Sequence, residues 1–516
     1  MNSVTNKDIS ASKLSSIRLP FLSQITPILI YFVIVSLFFS RFSQDMSVDG
    51  VSYVEIARLY LAGNWQEAVN GFWSPLISWL LVPLLACKLS PDIAFKIITI
   101  SAGLIALFAN GALVSQCVKN RNLSLIVQCA AAVMIASFAL LVCTPDILGL
   151  AFSLLFIVAL ITSLRTKRFS WIFTAGVLLV ISYFAKTFFL PFGICIAVMF
   201  PSAGFALHHS LDRFRYDIRN TILICCIAAV LVMPWVIAIH AKYGEWTIGT
   251  AGKLNFDLVV KQENITQLIA SKTVISPFQD PTRFALSSRT KIDYHAIIIN
   301  LSHNLTALAI RTVRHYPLAV ISVMLAFFTI YHSRKLYWQN AFILGLPVLL
   351  LWTAYSTVCA FVPQQTYLWL GDVLLLVIMA VGLEQSGVIG LCRNRIARAT
   401  ITLFILLLWT SYPIAEMIVR NAQGVSEKES GISLKKYVEG KTVVSDSLTG
   451  NSLVACFWAS AKYRGRYPDN LYLENIENAD YFLRWNEQTI MPQGFKRVAN
   501  IKLALGPVDI WKKLAD

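Results

Sequence analysis

Three ionisable side chains stand where hydrophobic segments of the chain begin or end. Asp49 follows the first apolar run, Asp146 closes a short Thr144-Pro145-Asp146 turn between two further runs, and Lys186 lies in a similar turn. A carboxylate can accept a proton from a hydroxyl group, and an amine can stabilise an oxygen that gains negative charge. Ionisable groups at the mouth of a helical bundle are functional candidates. The three residues therefore indicate chemistry at a membrane surface.

Each of these residues also has a structural interpretation. Asp49 and Asp146 stand at the start of predicted helices, where an acidic side chain can cap free backbone N–H groups. Lys186 could extend an apolar stem so that its amine reaches water. For any one of these residues taken alone, the structural role explains its position as well as a functional role does. The occurrence of all three on one side of the membrane favours function.

The hydrophobic segments that must position these residues define the class of protein. Of the 516 residues, 56% are hydrophobic and only 14% are charged, unlike the composition of soluble domains. Runs of about 17 to 25 apolar residues are long enough to cross a bilayer as helices, and no alternating strand pattern competes with them. The sequence predicts an all-α polytopic membrane bundle.

The net charge of +16 comes from short basic clusters between the hydrophobic runs. Such clusters mark the cytoplasmic side of membrane proteins and argue against nucleic acid as a partner. They are the N-terminal Lys7, Lys13 and Arg18, followed by Lys119/Arg121, Arg165/Lys167/Arg168, Arg213/Arg215/Arg219, Arg334/Lys335 and Arg393/Arg395/Arg398.

With these clusters in the cytoplasm, the sequence predicts about 11 transmembrane helices and a cytoplasmic N-terminus. The predicted spans are 24–40, 93–117, 122–142, 146–164, 169–184, 187–206, 220–240, 315–332, 338–358, 367–384 and 399–419. The transmembrane domain then covers residues 1–419, with exported loops at 42–92 and 241–314. Residues 420–516 form a separate domain on the exported side.

This topology requires that the apolar stretch 76–89 does not cross the membrane. Its length of about 14 residues, with Pro75 before it and Pro83 inside it, is typical of an interfacial or re-entrant helix.

Asp49 leads a second interfacial helix that is amphipathic. Its apolar face consists of Tyr53, Ile56, Ala57, Tyr60 and Leu61, and its polar face carries Ser52, Glu55 and Arg58.

From about Arg420 the composition becomes polar. About 95 residues with short apolar runs, including a strand-like run at 442–445, predict a small α/β extracytoplasmic domain. This domain carries no chemical motif, so we expect a lid or docking module over the membrane site.

Several short motifs together carry a family resemblance. They are Asp49 with Tyr53 and Ala57, Gly63, Asn70, the Trp73-Ser74-Pro75-Leu76 corner, Thr144-Pro145-Asp146, Pro234-Trp235, Tyr243-Gly244-Glu245-Trp246 and Gly252-Lys253-Leu254-Asn255. This layout resembles the GT-C glycosyltransferases that use polyprenyl-phosphate sugars, particularly the bacterial relatives of protein O-mannosyltransferases and of lipid A aminoarabinose transferases. Two departures stand out. Many members have Asp-Glu where this chain has Asp49-Gly50, and Pro-Pro-Leu is common where this chain has Ser74-Pro75-Leu76.

The resemblance implies transfer of a sugar from a polyprenyl-phosphate donor to a lipid, glycan or protein acceptor, on the exported face of a bacterial inner membrane. Asp49 maps onto the presumed catalytic base, and Asp146 could order the acceptor or a cation. Residues assigned to the donor phosphate or substrate are Lys186, Lys253, Tyr53, Glu55, Arg58, Asn70 and Arg283, with Arg311 as a further cation. Membrane lipids are further partners. No cofactor and no Cys/His metal site is predicted, and a role for a divalent cation stays open.

Two other functions use the same kind of lipid. A lipid-linked saccharide flippase or transporter predicts charged residues deep inside the spans and often repeated halves, whereas nearly all charges here lie at span ends. An O-antigen-type polymerase would extend a chain repeatedly in place of adding one sugar. The aromatic residues near predicted interfaces, such as Trp352, Tyr367 and Trp369, are interpreted first as membrane anchors.

Overall fold

The computed structural model describes residues 21–208, 210–261, 280–281, 293–324, 335–359, 363–385, 395–446, 451–466 and 478–514. These residues form a helical membrane bundle followed by a small domain that contains a sheet. The predicted fold class is confirmed.

The helices of the membrane part are named here in chain order. They are α1 (Phe21–Phe42), α2 (Val48–Leu61), α3 (Trp65–Ala68), α4 (Leu76–Ala86), α5 (Pro91–Cys117), α6 (Arg121–Leu141), α7 (Asp146–Thr166), α8 (Phe169–Ala185), α9 (Phe189–His208), α10 (Leu211–Tyr243), α11 (Ala251–Lys261), α12 (Tyr294–His315), α13 (Lys335–Val358), α14 (Trp369–Gln385) and α15 (Arg395–Val419). A 3₁₀ turn, Gln365–Leu368, leads into α14, and residues 318–324 are also helical.

Eight helices in the described part of the chain are long and apolar enough to cross a bilayer. The chain is therefore a multi-pass membrane protein. Most predicted spans coincide with a helix to within a few residues at the end that the sequence assigns to the exported side. The predicted span 315–332 starts differently, because α12 ends at His315 and the chain turns at Tyr316 before the helix resumes at 318. Pro317 explains this break, since it has no N–H to continue the helix.

The hydropathy pattern does not predict α12, which lies within the stretch 241–314 assigned to an exported loop. Its mean hydropathy of 1.2 is the lowest among the eight candidate spans. Two of its polar residues face a neighbouring helix: the amide nitrogens of Asn300 and Asn304 each lie 2.9 Å from the Cys359 carbonyl oxygen, just beyond α13. Tertiary hydrogen bonds therefore stabilise a helix that composition alone disfavours.

Helix α4 occupies the apolar stretch 76–89. It has 11 residues, which at about 1.5 Å per residue span about half of the hydrocarbon thickness. It packs against α2 and α5. Its length agrees with an interfacial or re-entrant position.

The C-terminal domain contains α16 (Gly424–Val438), α17 (Asn451–Trp458) and five strands. The strands are β1 (Thr442–Ser445), β2 (Lys462–Arg466), β3 (Tyr481–Arg484), β4 (Phe495–Leu503) and β5 (Gly506–Lys513), in the sheet order β2-β1-β3-β5-β4. β1 pairs in parallel with β2 and β3, while β5 is antiparallel to β3 and β4. Leu434 and Val438 of α16 share a buried core with Val443 and Ile510 of the sheet. The small α/β domain is thus present.

This domain docks on the corner between α1 and α2 and on the start of α5. Lys428 forms a 2.7 Å ion pair with the buried Asp92 of α5, and the Gly424 N–H donates to Asp45 Oδ1 at 2.8 Å. Gly424 approaches so closely that an added Cβ would lie 2.3 Å from the Gln44 carbonyl. The domain therefore contacts the segment that leads into α2, where Asp49 lies.

We expect Lys428→Met to weaken this docking by about 3 to 5 kcal/mol, because it leaves the Asp92 carboxylate buried without a partner. Lys435→Met is the matched control on α16, since Lys435 pairs with Glu439 in an exposed position worth about 0 to 1 kcal/mol. Proteolytic release of the C-terminal domain, followed over a series of urea concentrations, measures the docking free energy in both variants. Equal losses in the two variants would contradict a role for the buried pair.

Candidate active site

Helix α2 begins in close contact with the turn between α6 and α7. The Ser47 hydroxyl accepts the Gly50 N–H at 2.9 Å and donates to the Cys143 carbonyl at 2.7 Å. Ser47 is therefore the N-cap of α2, and Asp49 lies inside the first turn. An added Cβ on Gly50 would lie 2.8 Å from Met46 Sδ and 3.1 Å from the Cys143 oxygen. This close approach disfavours any side chain at position 50, including the second acid of the Asp-Glu pair.

Asp146 is the first residue of α7, and no side chain caps that helix. Its Oδ1 instead accepts a hydrogen bond from Lys186 Nζ at 2.6 Å. The side chains are 7% and 21% exposed, so this ion pair lies largely out of water. Asp146 and Lys186 thus bind each other and join the α6–α7 turn to the α8–α9 turn.

Aromatic rings complete the surroundings of Lys186. Its Nζ lies 3.5 Å from the centroid of the Tyr367 ring, which itself stacks on Tyr355 at 4.9 Å and 20°. Tyr355 stacks in turn on Phe188 at 4.1 Å. A cation over an aromatic face is attracted by the ring quadrupole. Tyr367, interpreted from sequence as a membrane anchor, therefore lies in the site, and Tyr355 is a residue that the sequence did not indicate.

A cavity of about 610 Å³ brings these groups together. Its charged lining residues are Asp49, Asp146 and Lys186 among the residues that the structure describes. The remaining wall is mostly apolar or aromatic and comes from α2, the 72–74 corner, the α8–α9 turn, α9, α11, α13 and the 3₁₀ turn. Its volume is typical of a ligand site.

The electrostatics of the cavity act on Asp49. Burial raises the pKa of its carboxyl to about 6, the nearby Asp146 charge adds to this increase, and Lys186 opposes it. A carboxylate with such a pKa is still ionised at neutral pH, and it is a stronger base than an ordinary aspartate. The arrangement can therefore accept a proton at Asp49 and stabilise an anion at Lys186.

Two further predicted site residues shape the cavity. Tyr53 lines it and packs edge-on against Trp73 with ring centroids 5.2 Å apart. The side-chain oxygen of Asn70 accepts the N–H groups of Phe72 and Trp73, both at 2.9 Å. Asn70 thus fixes the corner that carries Trp73 into the wall.

The other predicted residues lie elsewhere. Glu55 and Arg58 form a 2.5 Å ion pair, and the Arg58 guanidinium lies 4.7 Å from the Phe457 ring of the C-terminal domain. Lys253 pairs with Glu245 at 3.9 Å outside the cavity lining. Arg283 lies outside the described residues. The described part of the chain contains no group of three or more His, Cys, Asp or Glu side chains that could hold a metal ion.

Ser74, the departure from the common Pro-Pro-Leu corner, bonds to the turn that carries Lys186. Its hydroxyl accepts the Thr187 N–H at 3.0 Å. On the other side, an added Cβ on Gly249 would lie 2.8 Å from the Thr187 methyl group. Proline offers no side-chain acceptor, so serine at this position directly supports the residue next to Lys186.

No family model and no curated protein sequence matches the chain. Solved structures do match it. ArnT from Cupriavidus metallidurans, crystallised with bound undecaprenyl phosphate, aligns with a TM-score of 0.57 at 10% identity, over 94% of this chain and 97% of ArnT. The Archaeoglobus fulgidus oligosaccharyltransferase in its apo form aligns with a TM-score of 0.52 at 10% identity, over 90% of this chain and 69% of that chain.

This chain has the fold of ArnT. Both solved structures belong to the GT-C superfamily, so the resemblance found in the sequence motifs is confirmed at the level of fold. ArnT is matched over almost its whole length.

We expect Ser74→Ala to destabilise the α8–α9 turn by about 1 kcal/mol, because the Thr187 N–H loses its acceptor. Hydrogen exchange of the Thr187 amide should become faster, measured by mass spectrometry on the full chain. Ser115→Ala, which removes an exposed hydroxyl at the end of α5, is the control and should leave exchange at Thr187 unchanged. Unchanged exchange in Ser74→Ala would show that this bond does not hold the turn.

Proposed function

We propose that the protein is an integral-membrane glycosyltransferase that moves a sugar from a polyprenyl-phosphate donor to an acceptor on the exported face. The observation that carries this proposal is that Asp49 and the Lys186–Asp146 ion pair line one cavity. We also propose an inner-membrane location, and the alternation of basic clusters supports a cytoplasmic N-terminus.

In the proposed reaction, Asp49 takes the proton from the acceptor hydroxyl group while the hydroxyl oxygen attacks the anomeric carbon of the sugar. The bond between that carbon and the phosphate oxygen breaks, and the phosphate leaves with the electron pair. Lys186 stabilises the negative charge that the phosphate gains. Asp146 orients the Lys186 amine through their 2.6 Å hydrogen bond, and its own charge makes Asp49 a stronger base.

The remaining wall of the cavity suits the tail of such a donor. Phe192 of α9 and Leu350, Ala354 and Val358 of α13 line it with apolar surface. An isoprenoid chain could stay among these residues and the surrounding lipid while its phosphate reaches Lys186. The ArnT structure with bound undecaprenyl phosphate supports this class of donor, because that protein shares the fold over nearly its full length. The acceptor is a lipid, a glycan or a protein.

Asp49→Asn should reduce sugar transfer by about 10²- to 10⁴-fold, because the amide cannot accept the hydroxyl proton. Transfer is measured in membranes supplied with labelled polyprenyl-phosphate sugars. Asp293→Asn is the matched control, since Asp293 caps α12 through backbone N–H groups and asparagine caps equally well. Undiminished transfer by Asp49→Asn would exclude it as the base, and products with many added sugars would identify a polymerase.

The acid limb of the pH profile provides a second test. Because Asp49 acts only when deprotonated, kcat/KM should rise with pH through about 6. Lys186→Met removes the charge that lowers the pKa of Asp49, so the acid limb of the residual activity should move to a higher pH. Asp146→Asn removes the charge that raises this pKa, so the limb should move to a lower pH. Shifts in the same direction for both variants would contradict the assignment of the limb to Asp49.

A further inference from the structure

The aromatic support of Lys186 stands on a short piece of secondary structure. Tyr367 belongs to the four-residue 3₁₀ turn Gln365–Leu368, which is closed by the Tyr367 N–H donating to the Gln364 carbonyl at 3.1 Å. A single 3₁₀ turn has little stability of its own. The position of the Tyr367 ring must therefore be fixed by groups outside the turn.

One such group is Asp372, which is fully buried in α14. Its Oδ2 accepts a 2.6 Å hydrogen bond from Gln365 Nε2, two residues before Tyr367. A carboxylate inside a membrane-spanning helix is costly, and such residues are usually retained for function. Asp372 does not line the cavity described above and has no place in the proposed sugar transfer.

A second group holds the chain just before the same turn. Arg311 of α12 donates a hydrogen bond from Nη1 to the carbonyl oxygen of Pro363. Pro363 and Gln365 are two residues apart, so α12 and α14 bind the segment from two sides. Gln364 between them lines the cavity, as does Tyr367.

We propose that Asp372 and Arg311 are positioning residues for the donor phosphate. Together they clamp residues 363–365, the entry to the turn, and so hold the Tyr367 ring with its centroid 3.5 Å from the Lys186 amine. The identity of the ligand rests on the proposed function. The clamp acts through hydrogen-bond acceptors and donors, so the negative charge of Asp372 is not required.

The test measures binding of undecaprenyl phosphate, without a sugar, to the purified full chain. Gln365→Met keeps the side-chain length but removes the amide, and it should weaken binding about two- to thirty-fold, the range of a lost cation–π contact. Asp372→Leu should have the same effect. Asp372→Asn should bind as the wild type does, because its amide oxygen still accepts from Gln365. An equal loss in Asp372→Asn and Asp372→Leu would overturn the clamp in favour of a role for the charge.

A double-mutant cycle separates positioning from general destabilisation. In a Tyr367→Leu background the ring is absent, so adding Gln365→Met should weaken binding no further. Additive losses would overturn the proposal. Gln128→Met is the matched control, because Gln128 is a buried glutamine of α6 that bonds to Ser124 and does not line the cavity.

The two proposals fail in different ways. If the wild type does not bind undecaprenyl phosphate, the proposed function is wrong. If the wild type binds it and Gln365→Met binds equally well, the function stands and the clamp is wrong. Thermal unfolding of each variant checks that the chain is folded.

Discussion

The Lys186–Asp146 ion pair is the interaction on which the arrangement of the site depends. Each of these charges alone would be expensive to place in a largely apolar bundle, whereas together they neutralise each other and bind two turns that lie 40 residues apart in sequence. Asp49 has no ion-pair partner in the part of the chain that the structure describes, so the charged lining carries one excess negative charge. In the proposed reaction, the donor phosphate would therefore share Lys186 with Asp146, which would keep the amine oriented before and after binding.

Asp49 is held as firmly as Lys186. Asp49 lies in the first turn of a helix, and the start of this helix is fixed on one side by the bond between Ser47 and the Cys143 carbonyl. On the other side, Asp45 binds the backbone N–H of Gly424 in the C-terminal domain. The domain contributes no residue to the cavity lining that the structure describes, so it acts on the site through α2. Such support from outside the site limits the misalignment that reduces catalytic rates.

The sequence predicts those parts of the structure that depend on local pattern. Apolar run length locates most spans, and charges at the ends of apolar runs identify Asp49, Asp146 and Lys186. Helix geometry decides which other residues of α2 lie on the same side as Asp49. At about 100° per residue, Tyr53 lies about 40° from Asp49 around the helix, whereas Arg58 lies about 180° away and faces the C-terminal domain. The roles of Tyr367 and Asp372 depend on packing between helices distant in sequence, which no local pattern records.

The two departures from the common motifs, Gly50 and Ser74, both affect the packing of the turns that carry the ion pair. Glycine at position 50 removes the second acid of the Asp-Glu pair, and it also lets α2 approach the Cys143 carbonyl, three residues before Asp146. Serine at position 74 supplies an acceptor for the Thr187 N–H and so holds the turn of Lys186 against the same cavity. Both residues thus contact the turns on which Asp146 and Lys186 lie. The second carboxylate of the site is Asp146 of α7, which is paired with Lys186. Asp146 therefore raises the pKa of Asp49 without adding an unpaired charge to the site.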